Sequence, residues 1–114
     1  MIQLLFELGS EVILVVVDGK RVTFGNSVFG NKLASIDGLR LSKRGVEKEF
    51  PDLIGNDNWR EEAVRRFKIK LDGLNSELER AKYIVRDLKS HAYKAKSIQK
   101  QGFRPEVIKD DFLG

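Results

Sequence analysis

The sequence predicts an α+β fold, and three observations carry the prediction. Apolar stretches interrupted by Gly9-Ser10 and Asp18-Gly19 mark an N-terminal antiparallel β-meander. A heptad-spaced apolar series running on from Val64 marks a long helix in the second half. The length of 114 residues allows one compact domain, so sheet and helix belong to a single folding unit, 1–114. Within it, 1–41 is the β-rich sheet of three to five strands and 42–57 a short helix and linker. Residues 58–101 form a long basic helix or helical hairpin, and 102–114 an acidic-aromatic tail.

The meander occupies Met1 to Phe24. Gly at the first loop position of Gly9-Ser10 suits a type II′ turn and Asp18-Gly19 suits type I′, the two turns whose twist matches flanking strands. Pairing Leu8 with Glu11 and Val17 with Lys20 puts Ile2, Leu4, Phe6, Ile13, Val15, Val17, Val22 and Phe24 on one face. The other face carries Leu5, Val12, Leu14 and Val16 at its centre, too apolar a cluster for water, so a cover is expected from the helical half or a second subunit. Beyond Gly25, the segment Leu33 to Ile36, the pair Asp37-Gly38 and Leu39 to Leu41 read as a further hairpin. Gly25, Asn26, Gly30 and Asn31 are turn residues, because no Gly-Lys-Ser/Thr follows them and the dinucleotide-binding spacing is absent.

Ser42 caps a short helix that ends before Pro51, although Gly45 lies inside it. Asn58 with Glu61 and Glu62 opens the long helix, and Gly102 with Pro105 closes it. Between them Val64, Phe67, Leu71, Leu74, Leu78, Ala81, Val85, Leu88, Ala92 and Ala95 alternate spacings of three and four without a fault. That is the seam of a coiled coil or of a helix lying along a partner, and Val64, Phe67, Leu71, Leu74, Leu78, Val85 and Leu88 are its candidate oligomer interface, a dimer being favoured. Gly73 followed by Ser76 and Glu79 offers the competing signal, a C-terminal cap and a new capping box that would make a helical hairpin. Preserved phase favours the continuous rod.

The chain carries 21 Lys plus Arg against 17 Asp plus Glu. Residues 80–104 hold eight of those cations against Asp87 alone, a local charge of +7. On a continuous helix Lys82, Arg86, Lys89, Tyr93, Lys96 and Lys100 line one stripe, suited to phosphates with the tyrosine free to stack. No sequence-reading motif accompanies it, so phosphate contacts with weak base preference are expected.

Several classes are excluded. Without cysteine there is no disulfide scaffold, thiol nucleophile or thiolate-held metal, and the single histidine, His91, removes multi-histidine sites, so neither metal nor cofactor is expected. Val12 to Val17, the longest apolar run, is far below the roughly 20 residues of a membrane span, and no signal segment precedes it, so a cytoplasmic protein without membrane association is expected. His91 has no acid obviously aimed at it, and Glu7, Asp18, Lys20, Glu61, Glu62, Asp110 and Asp111 are explained by strand edge, turn, helix dipole or tail, so no enzyme is expected. What remains is a small non-catalytic accessory protein that self-associates and binds nucleic acid through the basic stripe. The alternative is a protein–protein adaptor or assembly protein that uses the heptad helix and the C-terminal tail.

Overall fold

The computed structural model describes residues 1–26, 33–34, 41–100 and 106–107, and it is α+β. Strands β1 (Ile2–Leu8), β2 (Glu11–Asp18), β3 (Arg21–Asn26) and β4 (Leu33–Ala34) lead into α1 (Lys43–Glu49) and a 3-10 turn at Pro51–Leu53. Then come α2 (Trp59–Asp72), α3 (Glu77–Ser90), β5 (Lys94–Lys100) and β6 (Glu106–Val107). The strands form one antiparallel sheet in the order β4-β3-β2-β1-β5-β6. The turn residues Gly30 and Asn31, the Asp37-Gly38 hairpin loop and the tail apart from β6 lie outside the described residues.

The first turn forms as expected, with Leu8 opposite Glu11 and Gly9 at φ +58°. The second is displaced. Asp18 pairs with Arg21, so its loop is Gly19-Lys20, and Gly19 at φ +60° supplies the positive φ that a type II′ turn needs at its first loop position. Each β3 partner thereby moves by two residues from the expected register. A shift of two preserves the face of every side chain, so Ile2, Leu4, Phe6, Val15, Val17 and Phe24 are all buried together. Leu5, Val12, Leu14 and Val16 on the opposite face are half-buried.

The long heptad helix is the main correction. The capping signals prevail over phase continuity: α2 stops at Asp72, and the Glu79 N–H donates to Ser76 Oγ (3.1 Å) while the Asn75 N–H donates to Glu79 Oε2 (2.9 Å). The helical pattern also ends at Ser90 instead of continuing to residue 101. Ala92 and Ala95 offer a helix little to bury, whereas β1 has a second edge to satisfy, and β5 fills it from Ile2 to Glu7. Phase survives across the break because both helices feed one core. Val64, Phe67 and Leu71 of α2 join Ala81, Ile84, Val85 and Leu88 of α3 over the buried sheet face. Most of the seam is therefore spent on the chain's own core.

A second, smaller cluster of Val46, Leu53 and Ala63 is packed by Leu41, Phe50 and Trp59. Trp59 thus anchors the start of α2 to α1. Arg66 supports this corner from outside, with Nη2 2.6 Å from Asp52 Oδ2 and its guanidinium 4.8 Å from the Phe50 ring centre. Among the described residues no helix is long and apolar enough to cross a membrane.

Candidate functional site

The most unusual chemistry lies where α1 meets the end of α3. Tyr83, Asp87 and His91 follow one another at intervals of four residues, which stacks them on one side of α3. Glu49, at the end of α1, faces them. Glu49, Asp87 and His91 each place one polar atom within 4.8 Å of the others, in a small pocket whose other walls are Leu41, Val46, Phe50, Ala63 and Phe67. His91 is 4% exposed and Asp87 9%.

Local sequence explains the placement. Ser42 caps α1 by accepting from the Gly45 N–H (3.1 Å), and its own backbone N–H donates to His91 Nδ1 (3.0 Å). Gly45 lets α1 come this close, since a Cβ there would lie 2.9 Å from both His91 Nδ1 and the Ser90 carbonyl oxygen. His91 Nε2 then sits 3.8 Å from Asp87 Oδ2.

Burial pushes the Asp87 carboxyl up to about 7, and the nearby charge of Glu49 and a hydrogen bond to it act in the same direction. Asp87 is therefore the carboxyl of the pair that holds its proton most strongly, within 4.8 Å of Glu49. Burial holds the His91 imidazole below its usual range, against the opposing pull of the Glu49 charge. Tyr83, stacked on Phe67 with ring centres 5.3 Å apart, has its phenol raised by burial first and by the Asp87 and Glu49 charges second.

Two carboxylates and an imidazole are also a cation donor set, but the hydrogen bonding opposes that use. Nδ1 accepts from Ser42, so the proton of the neutral ring resides on Nε2, which turns an N–H and not a lone pair toward Asp87. Moving that proton to Nδ1 would set two N–H groups against each other. The cluster suits proton sharing.

Sequence reasoning missed this site by treating His91 as a histidine without an acid. The acid is Asp87, and its spacing of four residues from His91 is a legible helical signal. Glu49 is 38 positions away from Asp87 and only the packing of α1 brings it in.

The structure divides the residues of the basic stripe. Lys82, Arg86 and Lys89 stay together on α3, with Arg86 and Lys89 exposed and Lys82 half-buried. Tyr93 has left the helix and is buried with its ring edge-on to Phe6, centroids 6.4 Å apart, so it is not available for stacking on a base. Lys96 is on β5 with Nζ 3.6 Å from Glu7 Oε2, and Lys100 pairs with Ile2 in the sheet. Arg80, another cation of the segment, is 4% exposed and donates from Nη1 to the Leu74 carbonyl (2.8 Å), tying down the α2–α3 loop. Of the candidate interface, Val64, Phe67, Leu71, Val85 and Leu88 are buried in the chain's own core, Leu74 is half-buried and Leu78 is 39% exposed.

No protein family, curated protein or solved structure matches this chain.

Proposed function

We propose that this chain is a small non-catalytic accessory protein that binds nucleic acid through phosphate contacts made by the outer side of α3. The observation that supports this reading is the division of that helix. Ala81, Ile84, Val85 and Leu88 enter the core, while Lys82, Arg86 and Lys89 follow spacings of four and three on the side turned to solvent. They span about 10 Å of helix at 1.5 Å per residue, and Lys94 continues the exposed charge at the start of β5. Asp87, the sole acid between residues 80 and 104, is turned into the polar cluster.

Binding of duplex DNA or RNA measured across a salt series tests the proposal. Three or four neutralised phosphates give a log–log slope of roughly 3. The combined variant Lys82→Glu, Arg86→Glu, Lys89→Glu should lose binding by about 100-fold or more while keeping its circular dichroism. Affinity that ignores salt, or that survives the triple substitution, refutes it.

The half-buried apolar face of Leu5, Val12, Leu14 and Val16 favours a second reading, an assembly or adaptor protein. With most of the heptad seam spent on the core, self-association falls to this face. Light scattering coupled to size exclusion separates the two readings: a dimer that persists in the triple variant, with no nucleic acid bound by either protein, supports the second.

A further inference from the structure

We infer that Glu49, Asp87 and His91 form a proton-operated latch, which docks α1 on α3 in weakly acidic solution and loosens it as the pH rises through neutrality. α1 has seven residues, and its one buried side chain, Val46, packs with Leu53 and with Ala63 of α2, so the ties that hold α1 to α3 are polar. Polar ties to α3 act at both of its ends. At the start, the Ser42 N–H donates to His91 Nδ1 (3.0 Å). At the finish, a Glu49 carboxyl oxygen lies within 4.8 Å of one of Asp87, close enough for the pair to share the proton that burial keeps on Asp87. The close approach at Gly45 leaves no space for a larger residue between the helices.

Losing the Asp87 proton sets two like charges within 4.8 Å of each other. The surroundings do not compensate. Glu49 faces Asp87 from α1, and Tyr83 and His91 face it from α3; α2 contributes the apolar Ala63 and Phe67, and Leu41, Val46 and Phe50 complete the pocket. Tyr83 keeps its proton well beyond this range, and His91 is neutral with its Nε2–H 3.8 Å from Asp87. Arg66, the cation over Phe50, is already engaged by Asp52 and Glu62.

His91 is the only histidine, so its ring protons are a single resolved reporter in an NMR titration of the full chain. The ring signal should shift with a midpoint near 7 as its neighbour ionises, and this inflection should vanish in Asp87→Asn. Amide hydrogen exchange supplies the second readout. After correction for intrinsic rates, the α1 amides from Val46 onward should lose roughly tenfold more protection between pH 6 and 8 than the same amides in Asp87→Asn, and then level off. Glu49→Gln, at an exposed position, keeps the readout available should Asp87→Asn fold poorly; it should move the midpoint downward. Equal pH dependence of α1 protection in the wild type and Asp87→Asn overturns the latch. So does an unchanged midpoint in Glu49→Gln, or Zn²⁺ restoring α1 protection above pH 8, which would mark a cation site instead.

Discussion

Gly45 costs a helix about 1 kcal/mol relative to alanine, and its retention in α1 is explained by what it touches. Alanine there would drive its Cβ to 2.9 Å from the His91 ring and from a backbone carbonyl. Gly45→Ala should therefore destabilise the chain by about 1–3 kcal/mol, the overpacking range, although propensity alone predicts a gain. Urea denaturation reads the sign directly. The sequence shows the glycine as an anomaly inside a capped helix but cannot show its neighbour, because His91 lies 46 positions further along. Asp87 and His91, in contrast, are four residues apart, and their pairing follows from helix geometry once α3 is placed.

At the level of elements, the two ends of α3 were unequally legible. Its start is written in Ser76 and Glu79, and the expected hydrogen bond between them is present. Its end is not, because Ala92 adopts φ +71° where glycine is usual. The Ala92 N–H donates to the Lys89 carbonyl (3.2 Å) and the Tyr93 N–H to the Leu88 carbonyl (3.1 Å), the two bonds of a Schellman ending. Tyr93 and Leu88, the hydrophobic pair of that motif, are both in the main core. Ala92→Gly should relieve the left-handed strain and raise stability by about 0.5–1 kcal/mol, visible as a higher urea midpoint at unchanged slope. An alanine gives no stop signal, so a heptad count runs straight through it into what is β5.

For the whole molecule, buried and exposed acids set opposite limits on the pH range of stability. Glu62, held down to about 2 by hydrogen bonds from Arg65 and then Arg66, favours the folded state above its unfolded value of 4.5 and loses that contribution as pH falls toward 2. Asp87 has the reverse sign. Its folded value near 7 exceeds the unfolded 3.8, so its contribution is whole below 3.8 and is lost as pH rises through 7. His91, lowered by burial, favours the folded state above 6.5 and loses that contribution as pH falls below it, partly masking Asp87 in the raw curve. The difference between wild type and Asp87→Asn removes the mask. Between pH 5 and 8 the Asn variant should gain about 2–3 kcal/mol relative to the wild type, measured by urea unfolding at each pH. A constant difference would mean that Asp87 ionises normally in the fold.

The sequence by itself determined the α+β class, the first three strands with their faces, the capped start of α1, and the concentration of positive charge from residue 80 onward, while at Ser76 it offered a capping box that phase continuity outweighed. These are local matters of period, turn chemistry and capping, and a register error of two residues left the faces intact because side chains alternate with that period. The tertiary structure decided that the basic segment bends from helix to strand, that the heptad seam covers the chain's own sheet, and that Glu49 meets Asp87. Each depends on a distant surface: the free edge of β1 recruited residues 94–100, the apolar face of the meander absorbed both helices, and α1 docked on α3. Nothing within a window of a few residues encodes the need of a strand edge or a sheet face far away in the chain.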